Sequence, residues 1–366
     1  MTSAPETRFA APAAPVIAPI PENAHICVVL LTGLGDVIHG LPIVNAIRRA
    51  HADCRITWVA EPMPASVLEP HPAIDRVVVF RKKDGLRGLR QLRRDLSGER
   101  FDMALDFNIY FKSVFPTVFS AAPIRVGFDR ARVRDGVWLF TNRRLPGRPR
   151  VHTQDMFLEF LDALGVPRPE PLEWRIVLTE EEKAAQQRFF AEYHGREIGA
   201  VVPASANAKK DWVPERYVEL VDRLDREFGL LPMLLGGPGT RETEVARMVA
   251  EGALTDVVWA MGDGVRRLLW LIDRSRIVIA PDTGPVHIAR ALRVPVVGLY
   301  GHTNPWRVGP YRAFEDLWVD HYNERGVAPD PTLTDPKHRR METITTDEVI
   351  ARVRHGLETY PPRALQ

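Results

Sequence analysis

The apolar run Ile26-Cys27-Val28-Val29-Leu30-Leu31 contains no polar alternation. A run of this kind belongs to a strand covered on both faces, as in a parallel sheet. A tight turn follows, Thr32-Gly33-Leu34-Gly35-Asp36, and then a helical stretch with Leu41, Val44 and Ile47 along one side. Strand-like runs recur at 55–60, 76–80, 102–107 and 124–128, separated by helical or loop segments. Alternation at this spacing predicts an α/β fold built on a doubly wound parallel sheet.

The rhythm is interrupted once. A helix predicted over 153–164 closes at Gly165, and Val166-Pro167-Arg168-Pro169-Glu170-Pro171 then reads as a semi-rigid linker, because three prolines in six residues cannot continue a helix. Beyond Thr179 a second α/β unit begins, with strands at 200–202, 231–235, 257–259, 277–280 and 295–300. Pro214 suits the first turn of a helix that stops at Gly229. A last helix over about 347–357 follows a polar connection that starts near Tyr322. The expected organisation is a flexible extension over 1–24, a first domain over 25–170, a second over 171–345, and a terminal helix and tail over 346–366. A length of 366 residues suits two domains, and 45% hydrophobic residues supply a core for each.

No run approaches the roughly 18 apolar residues of a membrane helix. The Ala- and Pro-rich first residues carry Glu6 and Arg8 and lack the unbroken apolar core of a signal peptide. Two cysteines, Cys27 and Cys54, make neither a metal knuckle nor a disulfide framework, which fits a reducing cytoplasm. The net charge of +2 is uninformative, but its distribution is not. Residues 81–100 hold eight Lys or Arg against three acids, and residues 125–150 hold eight Arg against two Asp. The first half should therefore present a positive face, suited to an acidic substrate or an anionic membrane surface.

Three loops sit just past predicted strand ends, where open α/β sheets place their ligands. In the first, Gly33-Leu34-Gly35-Asp36, the glycines permit close backbone approach, and Asp36 is placed either to accept a proton from a hydroxyl or to cap the helix. It is a poor dinucleotide fingerprint: the third glycine position is Ile38, and Arg55 begins the second strand. The second, Pro203 to Trp212, brings Lys210 just ahead of a helix, where a cation and backbone donors together suit a phosphate. The third, Pro281-Asp282-Thr283-Gly284-Pro285-Val286-His287, turns from a strand directly into a helix. The amides of Thr283 and Gly284 and the positive helix end form a ready diphosphate cradle, with His287 in the first turn.

Together these loops resemble glycosyltransferase family 9, the ADP-heptose:lipopolysaccharide heptosyltransferases. The resemblance rests on Thr32-Gly-Leu-Gly-Asp36-Val-Ile-His-Gly-Leu-Pro42, Lys210-Asp-Trp212, Gly236-Gly-Pro238 and Asp282-Thr-Gly284-Pro-Val-His287. Gly298-Leu-Tyr-Gly301-His-Thr303-Asn-Pro305 and Gly309-Pro310-Tyr311 complete it, in order, over roughly residues 26 to 312. The chain departs from the family pattern at Gly33 and Ala206, where a second small hydroxyl residue is frequent.

The resemblance implies a GT-B fold, two Rossmann-like domains facing a cleft, and an inverting transfer that needs no metal and no cofactor besides the nucleotide diphosphate-sugar. It implies Asp36 as general base, with Ser205, Lys210, Glu242, Asp282, Thr283, Gly284 and His287 on the donor. On the acceptor side it implies Gly35 and Lys112, the latter in Phe111-Lys112-Ser113, together with Arg130, Arg132 and Arg134. The expected substrates are ADP-heptose and an acidic lipopolysaccharide-core or related glycan. No nucleic-acid partner is expected, and the location is the cytoplasm, with peripheral contact at the inner membrane surface. Another nucleotide diphosphate-sugar donor, or a catalytically silent binding protein of the same fold, are the alternatives.

Overall fold

Two parallel six-stranded sheets carry the chain, in a computed structural model that describes residues 16–262 and 264–363. The first contains β1 (His25–Val29), β2 (Arg55–Ala60), β3 (Arg76–Val79), β4 (Met103–Asp106), β5 (Ile124–Gly127) and β6 (Arg143–Arg144), in the order β3-β2-β1-β4-β5-β6. The second contains β7 (Ile198–Val201), β8 (Leu231–Gly236), β9 (Val258–Met261), β10 (Ile277–Pro281), β11 (Val296–Tyr300) and β12 (Val319–Asp320), in the order β12-β11-β10-β7-β8-β9. These are the same winding read from opposite edges. Each order reverses once, between β1 and β4 and between β7 and β10, and such a switch point opens a crevice at the carboxyl ends of the strands. The three loops singled out by sequence leave β1, β7 and β10, three of the four strands that flank the two switch points.

The helices fall between the strands: α1 (Leu34–Ala50), α2 (Pro62–Leu68), α3 (Gly85–Ser97), α4 (Val114–Phe119) and α5 (Thr153–Leu164) with the first sheet. With the second are α6 (Glu180–Ala191), α7 (Pro214–Phe228), α8 (Thr240–Gly252), α9 (Gly264–Arg274), α10 (Gly284–Ala291), α11 (Pro305–Val308) and α12 (Thr346–Thr359). Pro214 opens α7, and Gly229 closes it at φ 65°, a conformation that costs glycine little and other residues more. The central strands β1, β4, β7, β10 and β11 are buried end to end, which is why their sequences show no alternation. One apolar core runs through both sheets by way of α1, α5, α9 and α10, so the two units share buried surface.

Of the expected extension, residues 1–15 lie outside the described residues, while residues 16–24 are anchored at a few positions. Ile17 and Ala18 both donate backbone bonds to the Ala163 carbonyl at the end of α5, and Ala18, Ile20 and Ala24 are buried. The passage between the sheets is also longer than its prolines. Asn45 holds the Glu173 carbonyl at 2.7 Å and His71 holds that of Trp174 at 2.9 Å, so residues 173 and 174 still lie against the first sheet's helices. Cys27 and Cys54 are free and buried. Among the described residues, no helix is long and apolar enough to cross a membrane.

Candidate active site

The loop after β1 is held open from below. Asn108 accepts from the Leu31 amide at 2.8 Å and donates to the Val29 carbonyl at 2.8 Å. It is fixed in turn by the buried carboxylate of Asp106, which also receives Ser113 and Thr117. Gly33, in extended conformation, is the N-cap of α1, and Asp36 lies in the first turn. Asp36 does not cap the helix: its half-buried carboxylate makes no hydrogen bond or ion pair among the described residues, so both oxygens remain for a ligand.

Gly35 is where the two sheets' helices meet. A Cβ there would stand 2.6 Å from Cδ2 of His287, well inside contact distance, so only glycine lets the amino ends of α1 and α10 approach this closely. His287 also stacks edge-on against His39 of α1 at 4.6 Å between centroids, and His39 meets His152, the N-cap of α5, at 5.5 Å. Gln154 orders this cluster. Its side-chain nitrogen donates to the His39 carbonyl, so its oxygen accepts from Nδ1 of His39. Nε2 of His152 donates to the Gly309 carbonyl of the second unit at 3.0 Å. Burial, followed by the neighbouring imidazoles, holds His287 well below the usual histidine range and pushes His152 down to about 3. All three rings are therefore neutral near pH 7, which makes His287 a hydrogen-bond donor without charge.

On the other side of the cleft, Lys210 pairs with Asp282 at 2.7 Å, and Thr303 donates to the same carboxylate oxygen at 2.9 Å. Asp282 is nearly buried, so its work is to hold Lys210 in place. An ammonium has three hydrogens; the Asp282 carboxylate takes one, a second is directed to the Asp282 carbonyl, 3.4 Å from Nζ, and one remains for a ligand. Thr283 is the N-cap of α10, and its buried hydroxyl has no partner among the described residues. With the Gly284 amide and the helix's positive end beside it, this corner is equipped for an anion. Glu242, in the first turn of α8, lies over Gly237 and Gly239, where a Cβ would come within 3.2 and 2.5 Å of its carboxylate. That carboxylate also makes no hydrogen bond or ion pair among the described residues. Ser205 does not reach the cleft as a free hydroxyl. It lies 2.8 Å from both the Asn207 carbonyl and Asp211, and Arg241 bonds Asp211 and the Ser205 carbonyl, so the serine braces the loop that carries Lys210.

The expected acceptor residues divide. Lys112 bonds the Leu31 carbonyl and pairs with Glu61 at 2.9 Å, which Lys82 also reaches at 2.7 Å. Burial opposes charge on Glu61, but these two hydrogen bonds outweigh it and keep the carboxyl below the usual range. The result is a cavity of about 510 Å³ beside Thr32 and Gly33, edged by Arg81, Lys82, Lys83 and Lys112. Arg130 and Arg134 are exposed, their guanidiniums lying 4.9 Å over Trp138 and 5.8 Å over Tyr110. Arg132 stands apart from these. Its side chain is 2% exposed and bonds Asp129, Glu159 at 2.9 Å and the Pro146 carbonyl, so it braces the fold.

Sequence reasoning passed over His39, His152, Gln154 and Thr303. His39 and Thr303 stand inside the quoted motifs, but a histidine or threonine there carries no signal until its partners are in place. His152 and Gln154 join the site from 115 residues beyond His39 in the case of Gln154. Among the described residues, no group of three or more His, Cys, Asp or Glu is arranged to hold a metal ion.

Comparison with known proteins agrees with this geometry. The model of glycosyltransferase family 9 (heptosyltransferase) matches residues 89–325. The lipopolysaccharide core heptosyltransferase OpsX of Haemophilus influenzae is 30% identical over 301 residues, which cover 82% of this chain and 85% of that protein. A family 9 glycosyltransferase from Veillonella parvula superposes with a TM-score of 0.80 at 24% identity, over 93% of this chain and 99% of the other. E. coli heptosyltransferase WaaC with ADP does so with a TM-score of 0.70 at 22% identity, over 91% and 98%. The paired sheets are thus the GT-B arrangement of these structures. The chain belongs to glycosyltransferase family 9, the heptosyltransferase family.

Proposed function

We propose that this protein moves a heptose from ADP-heptose onto an anionic sugar of a lipopolysaccharide core, by a single inverting displacement without a metal. The observation that carries the reading is the placement of an unpartnered carboxylate, Asp36, opposite the Lys210–Asp282–Thr303 brace and the amino end of α10. Donor and acceptor class follow the relatives: OpsX is named for the lipopolysaccharide core, and the WaaC structure holds ADP.

Asp36 takes the proton of the acceptor hydroxyl while that oxygen bonds to the anomeric carbon. The bond from that carbon to the diphosphate breaks on the opposite face, the electron pair leaves on the phosphate oxygen, and the configuration inverts. Lys210, the Thr283 hydroxyl and the Gly284 amide meet the charge that develops there. His287 adds a neutral donor, and Glu242 takes a ribose hydroxyl. The acceptor lies over the cavity at Gly33, with Lys112, Arg130 and Arg134 on its charged groups. The positive first unit suits work at the cytoplasmic face of the inner membrane.

Calorimetric titration with ADP, UDP, GDP and CDP under one buffer condition tests the reading. ADP should bind at least about tenfold more tightly than the others, a difference of about 1.4 kcal/mol. Transfer from ADP-heptose to a truncated core acceptor should then follow. Preference for another diphosphate reassigns the donor, and binding of none overturns the reading.

A further inference from the structure

Arg150 and Arg307 belong to none of the motifs, yet the fold brings them together beside the candidate site. The bond from His152 to the Gly309 carbonyl, 3.0 Å, fastens residues 150–152 of the first unit to residues 307–309 of the second. Each arginine stands two residues from that bond. Arg150 is aimed by its own bond to the Arg132 carbonyl at 2.6 Å. Burial, and then the charges of Arg134 and Arg307, hold its guanidinium below the usual arginine range. Arg307 lies in α11, which begins two residues after Thr303, the residue that braces Asp282 and Lys210. Its Nε is buried with no hydrogen-bond partner. Arg134, Arg150 and Arg307 form no ion pair among the described residues.

Like charges gathered from two units repel, and a buried guanidinium nitrogen without a partner is costly to keep. The repulsion is relieved when an anion sits among the three side chains. Arg307 comes from the unit that holds the donor, so such an anion would also tie the two units together. Guanidinium forks match the oxygens of phosphate and carboxylate groups.

We propose that Arg307, with Arg134 and Arg150, forms a subsite for an anionic substituent, phosphate or carboxylate, on the acceptor sugar. The second unit then reads the acceptor as well as the donor. This inference rests on the glycosyl-transfer reading, in which an acceptor sugar enters the cleft beside Asp36.

The test uses the full chain and Arg307→Gln, each saturated with ADP so that the diphosphate cradle is filled. Both are titrated with glucose 6-phosphate, glucuronate, glucose and inorganic phosphate. The wild type should bind a charged sugar more tightly than glucose. Arg307→Gln should lose about ten- to hundredfold of that preference, the worth of a charged hydrogen bond. ADP affinity should not move, and the melting temperature should not fall. Preference for glucose 6-phosphate assigns the subsite to phosphate, and preference for glucuronate assigns it to carboxylate. Equal binding of charged and neutral sugars, or an unchanged preference in Arg307→Gln, overturns the proposal. Binding of inorganic phosphate without any gain for the sugar phosphate also overturns it, as an adventitious ion only, and so does a loss of ADP affinity in the variant. If the wild type binds no ADP, the transfer reading itself fails, and the same titrations without ADP still decide whether Arg307 selects an anion.

Discussion

Lowering the pH from 7 to 5 should weaken this protein by about 2 kcal/mol through His152 alone. Burial, reinforced by His39, Arg307 and Arg312 and opposed by the Gly309 carbonyl, pushes this imidazole from the ordinary 6.5 down to about 3. Between those values the unfolded chain binds a proton that the native state refuses. Stability is complete above the unfolded value and falls as the pH drops below it. Each pH unit in that window costs about 1.4 kcal/mol, and pH 5 lies about one and a half units into it. His39 and His287 shift in the same direction, both mainly by burial, so they add to the loss with the same sign. The assay is urea unfolding of the wild type and His152→Asn at pH 7 and pH 5. The variant gives up the bond to Gly309 and starts less stable, but it should lose about 2 kcal/mol less over the interval. Carboxylates elsewhere titrate alike in both proteins and cancel in the difference. Equal losses in the two would refute the argument that His152 is held neutral.

Asp36→Asn keeps the shape of the side chain and removes the proton acceptor. Turnover should fall by about 10²- to 10⁴-fold with the calorimetric ADP affinity within about twofold of wild type. Lys210→Ala should weaken ADP binding by about ten- to hundredfold and also lower the melting temperature, because it strips the near-buried Asp282 of its cation. Arg132→Met, which leaves Asp129 and Glu159 unpaired, should cost about 3–5 kcal/mol in urea unfolding. Arg134→Gln should stay within about 0.5 kcal/mol of wild type in stability and raise the acceptor KM instead.

The pair Arg132 and Arg134 marks the limit of what the sequence could tell. Both lie in one arginine-rich stretch after a strand, and nothing local separates them. The difference arises from Glu159, 27 residues further on, which meets Arg132 only when α5 packs across the sheet. Strand positions were legible because a parallel sheet buries both faces and leaves unbroken apolar runs. The two-residue edge strands β6 and β12 escaped for the opposite reason, since Arg143–Arg144 and Val319–Asp320 are too short to carry any period. Ser205 has partners that its neighbours in sequence do not announce: a small hydroxyl near Lys210 suggests a ligand contact, while the Asp211 carboxylate and the Asn207 carbonyl, from the same loop, each lie 2.8 Å from it.

Gly35 and His287 show why the two most telling motifs are a single object. Read along the chain, one supplies an acid in the first turn of a helix and the other a diphosphate cradle at the start of another. In space, the side chain that Gly35 lacks is replaced by the His287 ring, 2.6 Å from where a Cβ would stand. The ring is kept neutral by the burial that this contact creates, and by His39 on the same helix as Asp36. Asp36 and the amino end of α10 are thus set at a fixed offset by packing between α1 and α10. A group-transfer site needs this more than it needs any one side chain, because a base held at the wrong distance from the anomeric carbon contributes nothing.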